Sequence, residues 1–177
     1  MSVMTAASRR TSVQKQLAEV TAQIAALEPT ARTEFEEEMK TAVKCFYRDG
    51  RSTSKTFQAD NRTIMGLSLE IQRLLLEYDL PRGTAVELAR VRDVLVRRDV
   101  LVAIIAEKLS FRETAVLVRL HHWWARRQRS PEVLPDALAV SRQRLLQKYP
   151  QLPDYPSLDF LATLGASAQE PAPVATA

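Results

Sequence analysis

Cysteine, glycine and aromatic residues are all scarce in this chain, and each shortage excludes something. The single cysteine, Cys45, rules out an intramolecular disulfide and offers no zinc constellation. It falls on the apolar side of a predicted helix, which points to a plain buried thiol. Four glycines and an aromatic content of 6% argue against a turn-rich sandwich or barrel. The longest apolar run, Val100 to Ala106, is far below the ~18 residues that span a bilayer. The opening MSVMTAASRR has no apolar h-region, so the expected location is cytoplasmic and the expected partners include no membrane.

Signatures of catalysis are missing as well. There is no G-x-x-x-x-G-K-[ST], no G-x-G-x-x-G, no H-E-x-x-H, no C-x-x-C and no serine-nucleophile motif. The only histidines, His121 and His122, are adjacent. Neighbours on a helix point about 100° apart, so the pair cannot ligate one ion from a regular helix. The expectation is a non-enzyme with no metal and no cofactor.

What the chain does have is an uneven distribution of charge. Its 177 residues carry a formal net charge of +4, yet residues 81–130 alone hold 11 basic and 5 acidic side chains. Residues 1–80 balance 11 against 11, and residues 131–177 hold 3 basic and 5 acidic. Of the 25 cations, 19 are arginine, the better bidentate partner for phosphate.

Helical periodicity accounts for nearly every patterned segment. Val13, Leu17, Val20, Ile24 and Leu27 recur at spacings of four and three, a narrow coiled-coil seam with Thr11 and Gln14 as a capping box. A seam this short requires the next helix folded back or a second chain, so these five residues are the expected oligomerisation surface. A second helix, about 34–48, has Thr33 and Glu36 as its cap and Phe35, Met39, Val43 and Phe46 as its stripe. Its acidic run Glu34–Glu38 sits at the positive dipole end, which explains it without a metal site. A third helix is expected from Asp60 or Asn61 to Tyr78, and a fourth from Ala85 behind a Thr84/Glu87 capping box.

From Val91 to Leu109 the sequence is rich in Val and Leu and repeats RDVLV at 92–96 and 98–102. No turn residue interrupts it, so a central helix apolar over most of its circumference, with a possible break near Arg98-Asp99, is favoured over two strands. Two more helices follow, about 112–129 and 135–148, then the proline-rich arm YPQLPDYPSLDFLATL and an Ala/Pro tail. The expected fold is all-α: one compact helical domain of about six to seven helices, with a disordered 1–10. It spans 11–149, with an N-terminal helical hairpin or coiled-coil segment at 11–48, a core at 60–130 containing the basic helix, and a C-terminal helix at 135–149. The arm and tail occupy 150–177.

The helix 112–129 is the most informative segment. Val116, Leu117, Leu120, Trp123 and Trp124 gather on one side, and Arg112, Arg119, His122, Arg126 and Arg129 line another. With Arg127 beside them, these residues form a row along about 25 Å of helix axis, suited to a phosphate backbone. IIAEKLSFRETAVLVRL also resembles the helix-turn-helix family of DNA-binding proteins over about 20 residues. Ala106 would stand at the helix crossing, Leu109 and Phe111 beside the turn, and Val116 inward. On that resemblance Arg112, Glu113, Thr114, Leu117, Val118 and His121 would face the major groove.

Two departures weaken it. Ser110 stands where glycine usually allows the turn, and Leu117 and Val118 are apolar at groove-facing positions. The basic stripe is also rotated away from those positions, which favours phosphate contact over base reading. Two functions follow: a small nucleic-acid-binding accessory or regulatory protein using the basic helix, or a helical scaffold, adaptor or inhibitor. The second would use the N-terminal seam and the arm, on which Tyr149, Tyr155, Leu158 and Phe160 would be anchors.

Overall fold

A computed structural model of the chain describes residues 5–47, 55–127, 134–150 and 152. Among them are eight α-helices and no strand: α1 (Ala6–Ala25), α2 (Pro29–Phe46), α3 (Lys55–Met65), α4 (Leu69–Glu77), α5 (Arg82–Ala89), α6 (Val94–Glu107), α7 (Phe111–Arg127) and α8 (Asp136–Lys148). The 1–10 segment is described from Thr5 and is helical from Ala6, not irregular as expected. The arm and tail lie outside the described residues beyond Leu152. The chain divides into two compact units, Met1–Arg119 and Leu120–Ala177, and α7 runs through the boundary.

In the first unit, α1 seats on α6 and α4, α2 on α4 and α3, and α5 on α3 and α6. The N-terminal seam is therefore covered by later parts of the same chain. Val13, Leu17, Val20 and Ile24 are all buried, while Leu27 is half-buried. Arg9 reinforces the seating, its Nε donating to the Ala106 carbonyl at 2.8 Å near the end of α6.

Several helix starts differ from the expected ones. Thr5, not Thr11, caps α1, its side chain accepting from the Ser8 amide at 3.2 Å. Helix α2 begins one turn before Thr33, because Pro29 supplies a preorganised first position. Both Thr11 and Thr33 lie inside helices and donate back to the carbonyls four residues earlier. The buried face of α2 ends on Tyr47, whose hydroxyl donates to the Leu80 carbonyl at 3.0 Å, rather than on Phe46, which is exposed. That register also turns Cys45 out to solvent, correcting the expected buried thiol.

The long third helix is two. Gly66, Leu67 and Ser68 separate α3 from α4, and the Gln72 amide bonds back to the Leu67 and Met65 carbonyls at 2.6 and 3.1 Å. Pro81 rather than Thr84 caps α5, and Thr84 is buried.

The valine-rich stretch is one unbroken helix. Asp93 Oδ1 accepts from the Val96 amide at 3.0 Å to start α6, and Arg97 Nε donates to the Val91 carbonyl at 2.7 Å. Val96 and every residue from Val100 to Ala106 are buried. A helix apolar on all sides has to sit inside.

Candidate nucleic-acid interface

Helix α7 starts at a turn built from its own sequence. Lys108 closes α6 in the left-handed conformation (φ 54°), at the position where glycine is usual. Ser110 then forms a capping box: its amide donates to Glu113 Oε2 at 2.7 Å, and the Glu113 amide donates to Ser110 Oγ at 3.4 Å. Ser110 is thus a helix cap and not a substitute for a turn glycine. The S-x-x-E signal for it was present in the sequence. Glycine matters instead at Gly83, where an added Cβ would come within 3.0 Å of the Phe111 ring.

Once begun, α7 is covered around most of its circumference. Thr114, Ala115, Leu117, Val118, Leu120, His121 and Trp123 are buried, while Val116, His122 and Trp124 are half-buried. The positions that the helix-turn-helix resemblance turns toward bases are therefore largely closed: Thr114, Leu117, Val118 and His121 are each at most 7% exposed. For Leu117 and Val118 their chemistry explains this correction, because apolar side chains gain by leaving water and are the first to be covered; Thr114 and His121 are polar residues buried on the same helix. Glu113 is engaged in the cap.

The expected basic stripe fares differently. Arg112, Arg119 and Arg126 are exposed. Seven-residue spacing drifts only about 20° per step, so the three share one narrow edge of the helix over about 21 Å. His122 lies half-buried beside that edge, its ring 5.9 Å from that of His121. The side chain of Arg127 and the whole of Arg129 lie outside the described residues. Arg119 Nε donates to the Ala115 carbonyl at 3.2 Å, which directs its guanidinium along the helix.

Much of the remaining positive charge in the middle third is already used within the fold. Arg98 bonds Glu70 at 2.6 Å, Arg90 bonds Glu87 at 2.6 Å, and Arg82 lies 3.9 Å from Asp60. Burial pushes the Glu70 carboxyl up, but the Arg98 hydrogen bond, polar contacts from Ser68 and the helix backbone, and the Arg98 charge together outweigh it, and the group titrates below its ordinary value. By contrast, Arg112, Arg119 and Arg126 hold no carboxylate among the described residues. The acidic run of α2 forms pairs on its own helix, Glu36 with Arg32 at 3.6 Å and Glu37 with Lys40 at 2.7 Å. Lys40 holds the Glu37 carboxyl below its ordinary range through that hydrogen bond.

Among the described residues no group of three His, Cys, Asp or Glu could hold a metal ion, and no helix is long and apolar enough to cross a membrane. No family model, curated protein or solved structure matches the chain.

Proposed function

We propose that the protein is a small helical nucleic-acid-binding accessory or regulatory protein that contacts phosphates along the exposed edge of α7. One observation carries the reading: Arg112, Arg119 and Arg126 remain in solvent on one edge of a helix otherwise largely covered. Exposed guanidinium groups in a row attract a polyanion, and phosphate contact needs no base edge. His122 and the neighbouring Arg127 and Arg129 extend the row in sequence. The covered groove-facing positions make the expected binding independent of base sequence.

Fluorescence anisotropy against labelled duplex and single-stranded DNA, repeated over a series of salt concentrations, tests this. Sub-micromolar binding at low salt is expected, with a steep negative log–log salt slope. Replacing Arg112, Arg119 and Arg126 together by alanine should shallow that slope by about 2.7 on duplex DNA, at about 0.9 per phosphate lost. An unchanged slope in a folded triple variant removes the assignment.

A second reading, a helical interaction module without nucleic acid, draws on Val94 and Leu95, which stand 50% and 58% exposed at the start of α6. The seam Val13–Ile24 gives it no support, since its own chain covers it. Absence of DNA binding together with a stable complex sensitive to Leu95→Asp would favour this reading.

A further inference from the structure

A cavity of about 520 Å³ opens in the first unit, and none of its lining residues belongs to α7. Three elements meet around it: the start of α1 (Arg9, Ser12, Val13), the α4–α5 turn (Tyr78 to Pro81), and the last turn of α6 with the turn that follows it. Its floor consists of core residues, Val13, Ile104, Ile105, Ala106 and Leu109, all of them buried. A core wall that faces an opening instead of another side chain gives up dispersion contacts along that face. An apolar molecule seated there restores them and takes the wall out of water. The volume is in the range that holds a small organic ligand.

The polar groups around the opening decide the class of ligand, because most are already committed. Arg9 Nε donates to the Ala106 carbonyl at 2.8 Å, and the residue is engaged further within the chain. The Leu80 carbonyl accepts from the Tyr47 hydroxyl at 3.0 Å, while the Leu80 and Leu109 amides donate to the Leu75 and Ile104 carbonyls at 2.9 and 3.0 Å. The Tyr78 hydroxyl is spent on Gln16 Oε1. Asp79 and Lys108 stand at the rim, both exposed and opposite in sign. Side chains so exposed keep their hydration, and their charges offset each other, so the rim favours neither an anion nor a cation. A charged head group entering the cavity would leave water without a fixed counter-charge, which is costly. An uncharged molecule incurs no such cost, and Ser12, exposed at the mouth, offers a hydroxyl to a neutral polar end.

We infer that this cavity binds a small, uncharged, predominantly apolar molecule such as a medium-chain alcohol, its hydrocarbon against Val13, Ile104 and Leu109 and its hydroxyl at the mouth beside Ser12. The inference does not depend on the phosphate-contact reading. Methyl-resolved NMR titration of the full chain with 1-hexanol, 1-octanol, octanoate and octylammonium at neutral pH tests it. The Val13, Leu80, Ile104, Ile105 and Leu109 methyl signals should shift saturably with 1-octanol, and each methylene between hexanol and octanol should tighten binding about fourfold. Octanoate and octylammonium, both ionised, should each bind about tenfold more weakly than 1-octanol. Asp79→Asn, a change compatible with positive φ, and Lys108→Gln should each leave octanol affinity within about twofold. Ser12→Trp, placed at the mouth from an exposed position, should abolish binding. The four-ligand series runs on the unaltered chain, so the assignment stays testable should that variant misfold. Absence of saturable shifts, shifts centred elsewhere on the molecule, either ion binding as tightly as 1-octanol, no gain from hexanol to octanol, or unchanged octanol affinity in folded Ser12→Trp each overturns the assignment.

Discussion

The pentapeptide RDVLV occurs twice, six residues apart, and the two copies meet opposite fates. In the first, Val94 and Leu95 are 50% and 58% exposed, whereas in the second Val100 and Leu101 are wholly buried. Arg92 is exposed, while Arg98 is drawn into the 2.6 Å pair with Glu70. Asp93 caps α6, while Asp99, one and two-thirds turns later, is half-buried inside it. Only the last residue behaves alike, Val96 and Val102 both being buried. Six residues rotate a helix by about 120° relative to a whole number of turns, so equal sequences cannot present equal faces. Composition and local propensity are identical in the two copies; position along the helix decides everything else.

Paired substitutions sharpen that contrast. Leu101→Ala should cost about 2–5 kcal/mol in denaturant unfolding. Leu95→Ala should stay within about 0.5 kcal/mol. Arg98→Ala, by stranding the nearly buried Glu70, should cost about 2–3 kcal/mol, less than a fully enclosed pair because Arg98 keeps some solvent. Arg92→Ala is expected to be nearly silent.

The Arg98 change also has a pH signature. Since Glu70 titrates below its ordinary value of 4.5 in the folded protein, its contribution is present above that value and lost as pH falls through the lower folded value. Arg98→Ala should accordingly flatten the acid side of the stability profile.

The aspartates should give smaller effects than Leu101 and Arg98, in opposite directions. Asp93→Ala removes a cap and should cost about 1 kcal/mol. For Asp99, burial raises the carboxyl above its ordinary 3.8, with Asp93 adding to the shift and Arg10 opposing it. A raised carboxyl pKa means the folded state binds the proton more tightly, so stability declines as pH climbs from the unfolded value through the folded one. Asp99→Asn should therefore stabilise at neutral pH, and the gain should vanish below the ordinary carboxylate range in thermal melts. A destabilising Asp99→Asn at pH 7 would contradict the buried-carboxyl account.

The helical class, the central apolar helix and the apolar seam of α1 were all legible, because periodicity reports which faces want to leave water. What periodicity does not report is who covers them. Val13 to Ile24 read equally well as an intermolecular seam, and only tertiary packing assigns them to α6 and α4. Caps were legible only in part. Thr11 and Thr33 matched the motif but lie within helices, since a cap forms only where the chain is not already helical. Ser110 and Glu113 matched it too and do cap α7. For the basic edge, Arg112, Arg119 and Arg126 could be placed on one side by spacing alone. The coverage of Thr114, Leu117, Val118 and His121 required a fold.

The bond between Arg9 and Ala106 joins residues 97 apart. A ribosome adding about 5–20 residues per second takes roughly 5–20 s to travel from one to the other. For most of that interval α1 has been synthesised while α6, which with α4 shelters Val13, Leu17, Val20 and Ile24, is incomplete. The nascent chain thus carries an unsheltered apolar ridge for seconds, the kind of surface that holding chaperones take up and that misassembly exploits. A seam that its own chain covers in the finished protein is, during its making, the part most in need of cover.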